Sequence, residues 1–255
     1  MSKVLLPGQV RQLARLIDRT NSAEDCRQAD GWLLRSTDGV DELANNSVLP
    51  NELAGSLSME EKVELAESFY EHRKQPVAFQ ITPVIEPKEL DQYLSNRGYG
   101  IRGLERVMIA DPAKVLEVTG HGEAVQLDET VKKAWYNAVW PHLKGKPEQF
   151  ARMDMVGRIE ATHRFASMRM DQNIVAVGIG IVDRGWLGIA MLQTHERHRR
   201  HGLASGVIGA LTNWGGEEGI GKVYLKVDNT NHAGVSLLER CGFETAFIIH
   251  YRVRG

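Results

Sequence analysis

The chain has 255 residues, of which 42% are hydrophobic and 25% charged, and its net charge is −2 at pH 7, as in an ordinary globular protein. The near-neutral charge argues against a protein drawn to nucleic acid or to an anionic membrane by its overall field, and the longest apolar run, 174–182, is too short to span a bilayer. The two cysteines make no disulfide framework and residues 1–7 show no signal-peptide pattern, so we expect a cytoplasmic protein without nucleic-acid or membrane partners.

Turn residues and hydrophobic periodicity predict alternating helices and strands in the first half. Pro7 suits the first turn of a helix, and Ser58 with Glu61 forms a capping box that opens another. Gly98 stands where a helix commonly ends. The predicted helices span 7–19, 58–72 and 90–97, and the predicted strands span 32–35, 47–49, 77–81 and 100–110.

The second half begins with a short helix after Asp111-Pro112 and a glycine-containing connector at 118–123. Asp171-Gln172-Asn173 and Asp183-Arg184-Gly185 are predicted hairpin turns between strands. The further predicted helices span 129–139, 147–157, 203–218 and the segment around 231–241, and the strands span 162–170, 174–182, 186–193, 222–227 and 245–253.

The segment 199–205 joins one of these strands to an amphipathic helix, and it predicts an anion site. The first turn of a helix has backbone N–H groups without intrahelical partners, and these groups and the helix dipole attract anions. Gly202 has no Cβ, so a bulky anion can approach the backbone closely. Arg199 and Arg200 add positive charge suited to phosphate.

The same residues carry a family resemblance. Arg199-x-x-Gly202-x-Ala204 resembles the Gln/Arg-x-x-Gly-x-Gly/Ala signature of the GCN5-related N-acetyltransferases (GNATs), whose loop holds the pyrophosphate of coenzyme A. Asn231-x-x-Gly234-x-x-Leu237-Leu238 and the following Cys241-Gly242-Phe243 resemble the family's Asn-x-x-Ala-x-x-Leu-Tyr-x-x-x-Gly-Phe block. The resemblance extends over about 174–253. It implies an α/β fold with a mixed, mostly antiparallel sheet flanked by helices, and acetyl-CoA as co-substrate without a metal.

The resemblance also implies which residues contact the coenzyme. The end of the signature strand would carry the pantetheine arm, because that strand splays from its neighbour in the family and the arm's amides pair with it like an added strand. The alternative is a paired central strand with no free edge. The implied cofactor-binding residues are Leu192, Gln193, Thr194, Arg199, Arg200, His201, Gly202, Leu203, Ala204, Ser205 and Asn231.

The first half repeats features of the second. The segments 93–99 and 237–243 both end a helix in glycine and begin a strand with an aromatic residue. Trp32-Leu33-Leu34-Arg35 and 44–50 resemble the N-terminal half of bacterial two-half acetyltransferases. We therefore predict a degenerate GNAT-like half at 1–119 and an acetyltransferase half at 120–255, with the anion site kept only in the second. The alternative is that any two helix–glycine–strand units look alike.

Three other sequence patterns do not predict a functional site. His195, His198 and His201 recur every three residues, but no cysteine, and no carboxylate except Glu196, completes a ligand set, so we predict a solvated loop rather than a metal site. The glycines at 215–221 follow a helix rather than a strand, which is the wrong context for a dinucleotide loop. Cys241 is predicted to be buried and inert.

We predict an enzyme: an N-acetyltransferase that passes an acetyl group from acetyl-CoA to an amine of a small molecule or protein by direct attack. The family's tyrosine acid is replaced by Leu238, which favours as the alternative a non-catalytic acyl-CoA-binding sensor. A third hypothesis is an interaction protein whose second half is a relic. Glu196, Asp171 and Glu160 are the nearest carboxylates, and none is assigned as base, so the catalytic residues stay unassigned. The sequence does not identify the acceptor, and a homodimer stays open.

Overall fold

The computed structural model describes residues 5–20, 23–50 and 55–255. Residues 1–4, which belong to the segment examined for a signal peptide, lie outside this part. The helices are α1 Pro7–Thr20, α2 Met59–Glu71, α3 Leu90–Asn96, α4 Pro112–Thr119, α5 Lys133–Val139, α6 Pro147–Gly157, α7 Leu203–Glu217 and α8 His232–Arg240. The strands are β1 Asp25–Ala29, β2 Trp32–Ser36, β3 Val48–Leu49, β4 Val77–Ile81, β5 Gly100–Ala110, β6 Gln126–Asp128, β7 Thr162–Met170, β8 Asn173–Asp183, β9 Trp186–Thr194, β10 Lys222–Asp228 and β11 Glu244–Arg254.

The predicted fold class is confirmed: helices flank a mixed sheet in which most neighbouring strands run antiparallel. Every predicted helix and strand is present, and β4 and β5 have the predicted bounds. The sequence reading missed β1 and β6, and it began α5 four residues too early, at 129 instead of Lys133. β1 had a signal: Asp30-Gly31, with φ of 49° and 88°, is the dipeptide typical of a tight hairpin turn.

The chain divides into two compact units, one with the described residues up to Arg106 and Phe247–Gly255, the other with Val107–Ala246. In the first unit the strands lie in the order β1-β2-β3-β4-β11. β2 and β3 run antiparallel, whereas β3 and β4 run parallel with α2 between them in the chain. Its core packs Trp32, Phe79 and Tyr99 with apolar residues of α2 and α3.

In the second unit the order is β10-β9-β8-β7-β6. The sheet is covered on both faces by apolar clusters. On one face α7 packs through Val207, Leu211 and Trp214 onto Leu187, Ile189 and Leu225. On the other, Trp135 and Trp140 pack with Phe165, Val177 and Ile179. This arrangement fixes where α7 begins relative to the ends of β9 and β10. Within the described residues, no helix has the length and apolar character needed to cross a membrane.

Glycines let α7 lie unusually close to the connector after α4. A Cβ at Gly209 would lie 2.4 Å from the carbonyl oxygen of Gly120 and 2.7 Å from the Oγ1 of Thr119. A Cβ at Gly122 would lie 2.4 Å from the carbonyl oxygen of Gly206. On the sheet side, a Cβ at Gly178 would lie 2.9 Å from Val207 Cγ1, and a Cβ at Gly180 would lie 3.0 Å from Leu211 Cδ2, so glycines also let α7 pack closely against β8.

We expect Gly209→Ala to destabilise the protein by about 1–3 kcal/mol, because the added methyl group meets backbone that cannot turn away. Gly216→Ala is the control on the same helix, where a Cβ meets no described atom within 4 Å. Gly216→Ala should stabilise the protein by about 0.4–1 kcal/mol, because alanine lowers the conformational entropy of the unfolded chain. Urea unfolding of both variants measures the difference, and equal midpoints would contradict the packing account.

Candidate functional site

A bulge interrupts β9 near its end. Ile179 of β8 faces Ala190, and Val177 faces Gln193, so two residues of β9 lie opposite the single Gly178. One of these two, Met191, has a φ of 53°, which is rare for a residue with a side chain. A bulge disrupts the ladder locally and turns a peptide group away from it. No residue type in this segment predicts the bulge, because the residue with the unusual backbone is methionine and not glycine.

Just before the bulge β9 separates from its parallel neighbour β10. The pairing between the two strands runs from Trp186 and Lys222 to Ile189 and Leu225, where it ends. Both strands continue past this point, β9 to Thr194 and β10 to Asp228. The edge of β9 that faces β10 is therefore not used in this ladder over 190–194. The predicted residues Leu192, Gln193 and Thr194 all lie on this stretch and are half-buried.

The helix after this strand opens without a side-chain cap. Gly202 is the N-cap residue, with a φ of 76°, and the first helical hydrogen bond runs from the N–H of Gly206 to its carbonyl oxygen (2.9 Å). By contrast, Ser58, Asp111 and Asn231 cap their helices with side chains. A Cβ at Gly202 would meet no described atom within 4 Å. The start of α7 thus has no side-chain cap, and the space beside the Cα of Gly202 is open, as the approach of a bulky anion requires.

Two arginines stand beside this opening. Arg199 and Arg200 are exposed, and Arg199 Nε donates to the carbonyl oxygen of Thr194 (3.5 Å), which links the loop to the end of β9. Arg200 has a φ of 66°. A 3₁₀ turn, Glu196–His198, precedes them, and the Nδ1 of His195 accepts from the N–H of Arg197 (3.3 Å). The loop is therefore shaped by its own hydrogen bonds.

The remaining predicted residues divide by exposure. His201 is exposed, Ala204 and Ser205 are half-buried, and Leu203 is buried, so Leu203 can offer a ligand only its backbone. Asn231 caps α8, with its Oδ1 accepting from the N–H of Gly234 (2.9 Å). Asn231 therefore stabilises the start of α8, and its contact with the coenzyme stays a prediction.

Two buried polar groups lie near the site. The Oγ1 of Thr194 is shielded from solvent and has no hydrogen-bond partner among the described residues, so this strand end has unused bonding capacity. The thiol of Cys241 donates to the Oγ of Ser205 (3.7 Å). Burial raises the pKa of the Cys241 thiol, and the Ser205 contact lowers it less. The prediction of a buried cysteine is confirmed. The described residues contain no group of three or more His, Cys, Asp or Glu side chains arranged to hold a metal ion.

The corresponding helix of the first unit, α2, begins with the Ser58–Glu61 capping box, and the segment just before it is held by a carboxylate of the protein itself. Asp30 accepts from the N–H groups of Ser56 and Leu57, both at 2.9 Å, and Lys62 Nζ lies 3.1 Å from its Oδ2. A Cβ at Gly55 would overlap the Asp30 carboxylate. Burial acts to raise the pKa of Asp30, but the Leu57 N–H, Lys62 and the Ser56 N–H together hold it below its ordinary value.

Asp30→Asn is expected to lower the unfolding midpoint at pH 7, because the variant loses the charge held by Lys62 and two amides. The folded-state pKa is lowered, so the stabilisation is present above the unfolded pKa of about 3.9 and is lost as pH falls through the folded value. The gap between parent and variant should therefore narrow in acid. Urea unfolding at pH 7 and pH 3 measures this, with exposed Asp41→Asn as control. A gap that is constant with pH would contradict the role of the charge.

Comparison with known proteins agrees with this geometry. Residues 8–254 match the family model described as "Probable histone acetyltransferase Rv0428c C-terminal". An uncharacterized N-acetyltransferase, YobR of Bacillus subtilis, is 27% identical over 96% of this chain and 98% of its own.

Two solved structures share the fold. A GCN5-related N-acetyltransferase from Kribbella flavida has a TM-score of 0.69 at 15% identity, covering 99% of this chain and 96% of its own. A tandem GNAT protein from the clavulanic acid biosynthesis pathway has a TM-score of 0.57 at 13% identity, covering 77% of this chain and 70% of its own. Since the family model covers nearly the whole sequence, the chain belongs to the family described as "Probable histone acetyltransferase Rv0428c C-terminal". Together with the N-acetyltransferase relative and the fold of the neighbours, this makes it a GCN5-related N-acetyltransferase family protein.

Proposed function

We propose that this protein transfers an acetyl group from acetyl-CoA to an amine, at a site in the second unit. The observation that carries the proposal is the juxtaposition of two features: an uncapped helix start at Gly202 and a strand, β9, that leaves its parallel neighbour at Ile189. The Arg199–Thr194 hydrogen bond joins them. A helix start binds a diphosphate, and a free strand edge pairs with the amides of the pantetheine arm, so coenzyme A needs both features next to each other.

In this proposal the amides of Leu203, Ala204 and Ser205 hold the diphosphate, and Arg199 and Arg200 neutralise it. A helix-terminus contact contributes about 0.3–2 kcal/mol. A charge-assisted hydrogen bond contributes about 1.5–3 kcal/mol. Several such contacts together bind a diphosphate without a deep pocket. The unused edge of β9 over 190–194 would pair with the arm, and the unpartnered Oγ1 of Thr194 fits a polar group of that arm.

The bulge supplies the polarising group. In the family, a backbone N–H near the splayed strand polarises the thioester carbonyl, and such donors are among the strongest contributions to acyl transfer. The peptide at Met191, turned out of the ladder, is the donor we propose. A fixed backbone donor needs no reorganisation during the reaction, which suits direct attack by a neutral amine.

No residue of the site is assigned as the acid or base for proton transfer. Leu238 stands where the family has its tyrosine, and it lies in the core beside α7 with 3% of its surface exposed. A thiol has a pKa near 8.5, so the coenzyme can leave as thiolate without an acid at neutral pH. Glu196 lies in the 3₁₀ turn, Asp171 in the β7–β8 turn and Glu160 just before β7, and we assign none of them as base.

We further propose that the first half is a degenerate GNAT-like copy, so that the chain binds one acetyl-CoA. The antiparallel–parallel order of β2, β3 and β4, with α2 between the last two, repeats that of β8, β9 and β10 with α7. In the first half the helix start is closed by the Ser58–Glu61 capping box, and the Asp30 carboxylate occupies the amides of Ser56 and Leu57 just before it. The predicted boundary at 119/120 stays a prediction, while the compact units divide after Arg106 and before Phe247.

The alternative function is a non-catalytic acyl-CoA sensor, favoured by the burial of Leu238 at the acid position. Two experiments distinguish the enzyme from the sensor: calorimetry with acetyl-CoA, and thiol-release assays with a panel of amines. The panel includes lysine-bearing histone-tail peptides, since the matched family carries that description. Binding at one site per chain with thiol release supports the enzyme, and binding without release supports the sensor. Absence of binding would refute both. A cytoplasmic location is part of this proposal, supported by the two cysteines, Cys26 and Cys241, which form no disulfide.

A further inference from the structure

Four exposed lysines lie at the starts of α5 and α6 in the second unit, and we call them the lysine cluster: Lys132, Lys133, Lys144 and Lys146. No aspartate or glutamate occurs within 130–147. The net charge of −2 includes these four cations, so the rest of the chain carries −6. The cluster is therefore a local concentration of positive charge on a chain that is otherwise acidic.

Contacts between α5 and α6 bring the cluster together. The buried amide of Gln149 donates from its Nε2 to the Oδ1 of Asn137 on α5 (2.9 Å), and its Oε1 accepts from the N–H of Gly145 (3.0 Å). Lys133 Nζ lies 5.5 Å from the centre of the Phe150 ring, and Phe150 is 47% exposed. The start of α5, the turn at 144–146 and the start of α6 therefore share one surface, with an exposed aromatic ring among the lysines.

The carboxylates nearest in sequence are held by other cations. Glu148 accepts from the Nε (3.0 Å) and the Nη2 (2.8 Å) of Arg152, and Glu129 lies 2.8 Å from Arg164. Asp154 lies about two turns beyond the start of α6. Within the part of the chain that the structure describes, no lysine of the cluster forms an ion pair, so their ammonium groups are open to a partner.

This arrangement of charge is unfavourable for the two helices. The N-terminus of a helix is the positive end of its dipole, where anions stabilise and cations do not. Lys132 and Lys146 are the N-cap residues of α5 and α6, and neither caps its helix with the side chain. By contrast, the first turn of α2 carries Glu60 and Glu61. Because the cluster opposes the helix dipoles and has no counter-ion in the chain, it indicates a role in binding rather than in folding.

We propose that the lysine cluster and Phe150 bind an acidic segment of a partner polypeptide, one that also carries an apolar residue to cover the exposed ring. Aromatic residues are enriched in protein interfaces. A nucleic acid fits less well, because duplex DNA carries a negative charge about every 1.7 Å and would extend over the rest of this chain, whose net charge is negative. Trp135 of α5 and Met191 of β9 belong to one apolar cluster, so the bound polypeptide would lie on the helix that covers the bulged strand.

The proposal is tested by fluorescence anisotropy of the full chain with three labelled probes of similar length, in the absence of acetyl-CoA. The first is a peptide of alternating glutamate and serine with a leucine at its centre, the second has glutamine in place of each glutamate, and the third is a single-stranded DNA oligonucleotide. We expect the acidic peptide to bind, and the other two to bind at least tenfold more weakly. The affinity for the acidic peptide should fall as salt is raised, since exposed charges are screened.

A triple variant locates the binding surface. Changing Lys133, Lys144 and Lys146 together to glutamine should weaken binding of the acidic peptide at least tenfold. The matched control changes three other exposed lysines to glutamine, and so removes the same charge from other parts of the surface: Lys74, Lys88 and Lys114. The control variant should bind the acidic peptide like the parent.

Three results would overturn the proposal: no binding of the acidic peptide at low salt, DNA bound as tightly as that peptide, or equal losses in the two triple variants. Urea unfolding separates binding from folding. The cluster variant should unfold at the parent's midpoint or above it, because the substitutions remove cations from helix starts. A lower midpoint would mean that the lysines serve the fold, and would also count against the proposal. Since no acetyl-CoA is present, the outcome is independent of whether the proposed transfer occurs.

Discussion

Gly202→Asp is expected to lower the affinity for acetyl-CoA about a hundredfold, which corresponds to about 3 kcal/mol. The residue precedes α7 at a φ of 76°, and open space lies where its side chain would point. A carboxylate there competes for the amides of the first turn and repels the diphosphate held by Arg199 and Arg200. Aspartate tolerates the left-handed backbone better than most residues, so the loop should keep its shape.

Two controls separate charge, bulk and backbone strain. Gly202→Asn adds the same volume without charge, and we expect a loss of affinity nearer tenfold. Gly219→Asp places aspartate at a φ of 79° with equal open space, but just beyond the other end of the same helix. It should bind acetyl-CoA like the parent. Calorimetry measures all three variants. If Gly202→Asp also bound acetyl-CoA like the parent, the diphosphate would not lie at the start of α7.

The elements around the site could be predicted because their signals are local. The capping box at Ser58 and Glu61 forms as expected, with both reciprocal hydrogen bonds. The apolar residues Leu203, Val207 and Leu211, at helical spacing, predict α7. Gly202 predicts where that helix begins. Each of these signals acts within about one turn of helix, so a single sequence is enough to read it.

The geometry that makes the site useful could not be read in this way. The bulge depends on Met191 adopting a positive φ, and neither methionine nor its neighbours mark such a position. The separation of β9 from β10 depends on the register of strands that lie far apart in the sequence. Asp30 accepts from the N–H of Ser56, which lies 26 residues further along the chain, so the contact that holds the segment before α2 has no local signal either.

The first unit contains a buried charge pair whose loss should be the most costly change to stability. Arg35 is 2% exposed, and its Nη1 lies 3.9 Å from the Oδ1 of Asp18. Gln80 donates to the same Oδ1 (3.1 Å), and Arg35 donates to the Oγ of Ser47 (3.0 Å). Tyr251 donates to Glu105 (3.2 Å) and to Gln80 (3.4 Å) at the edge of this network. Few members could be removed without leaving another polar group in the core without its partner.

Asp18→Ala is expected to destabilise the protein by about 3–5 kcal/mol, because it leaves the guanidinium of Arg35 buried without its counter-ion. Asp18→Leu combined with Arg35→Met should lie much closer to the parent, since an apolar pair of similar volume removes both desolvation costs. Glu129→Ala is the exposed control: its carboxylate lies 2.8 Å from Arg164 but is 75% exposed, so about 0–1 kcal/mol is expected. Urea unfolding measures each variant. A double variant as unstable as Asp18→Ala would mean that the hydrogen bonds to Ser47 and Gln80, rather than the charge pair, hold this part of the unit together.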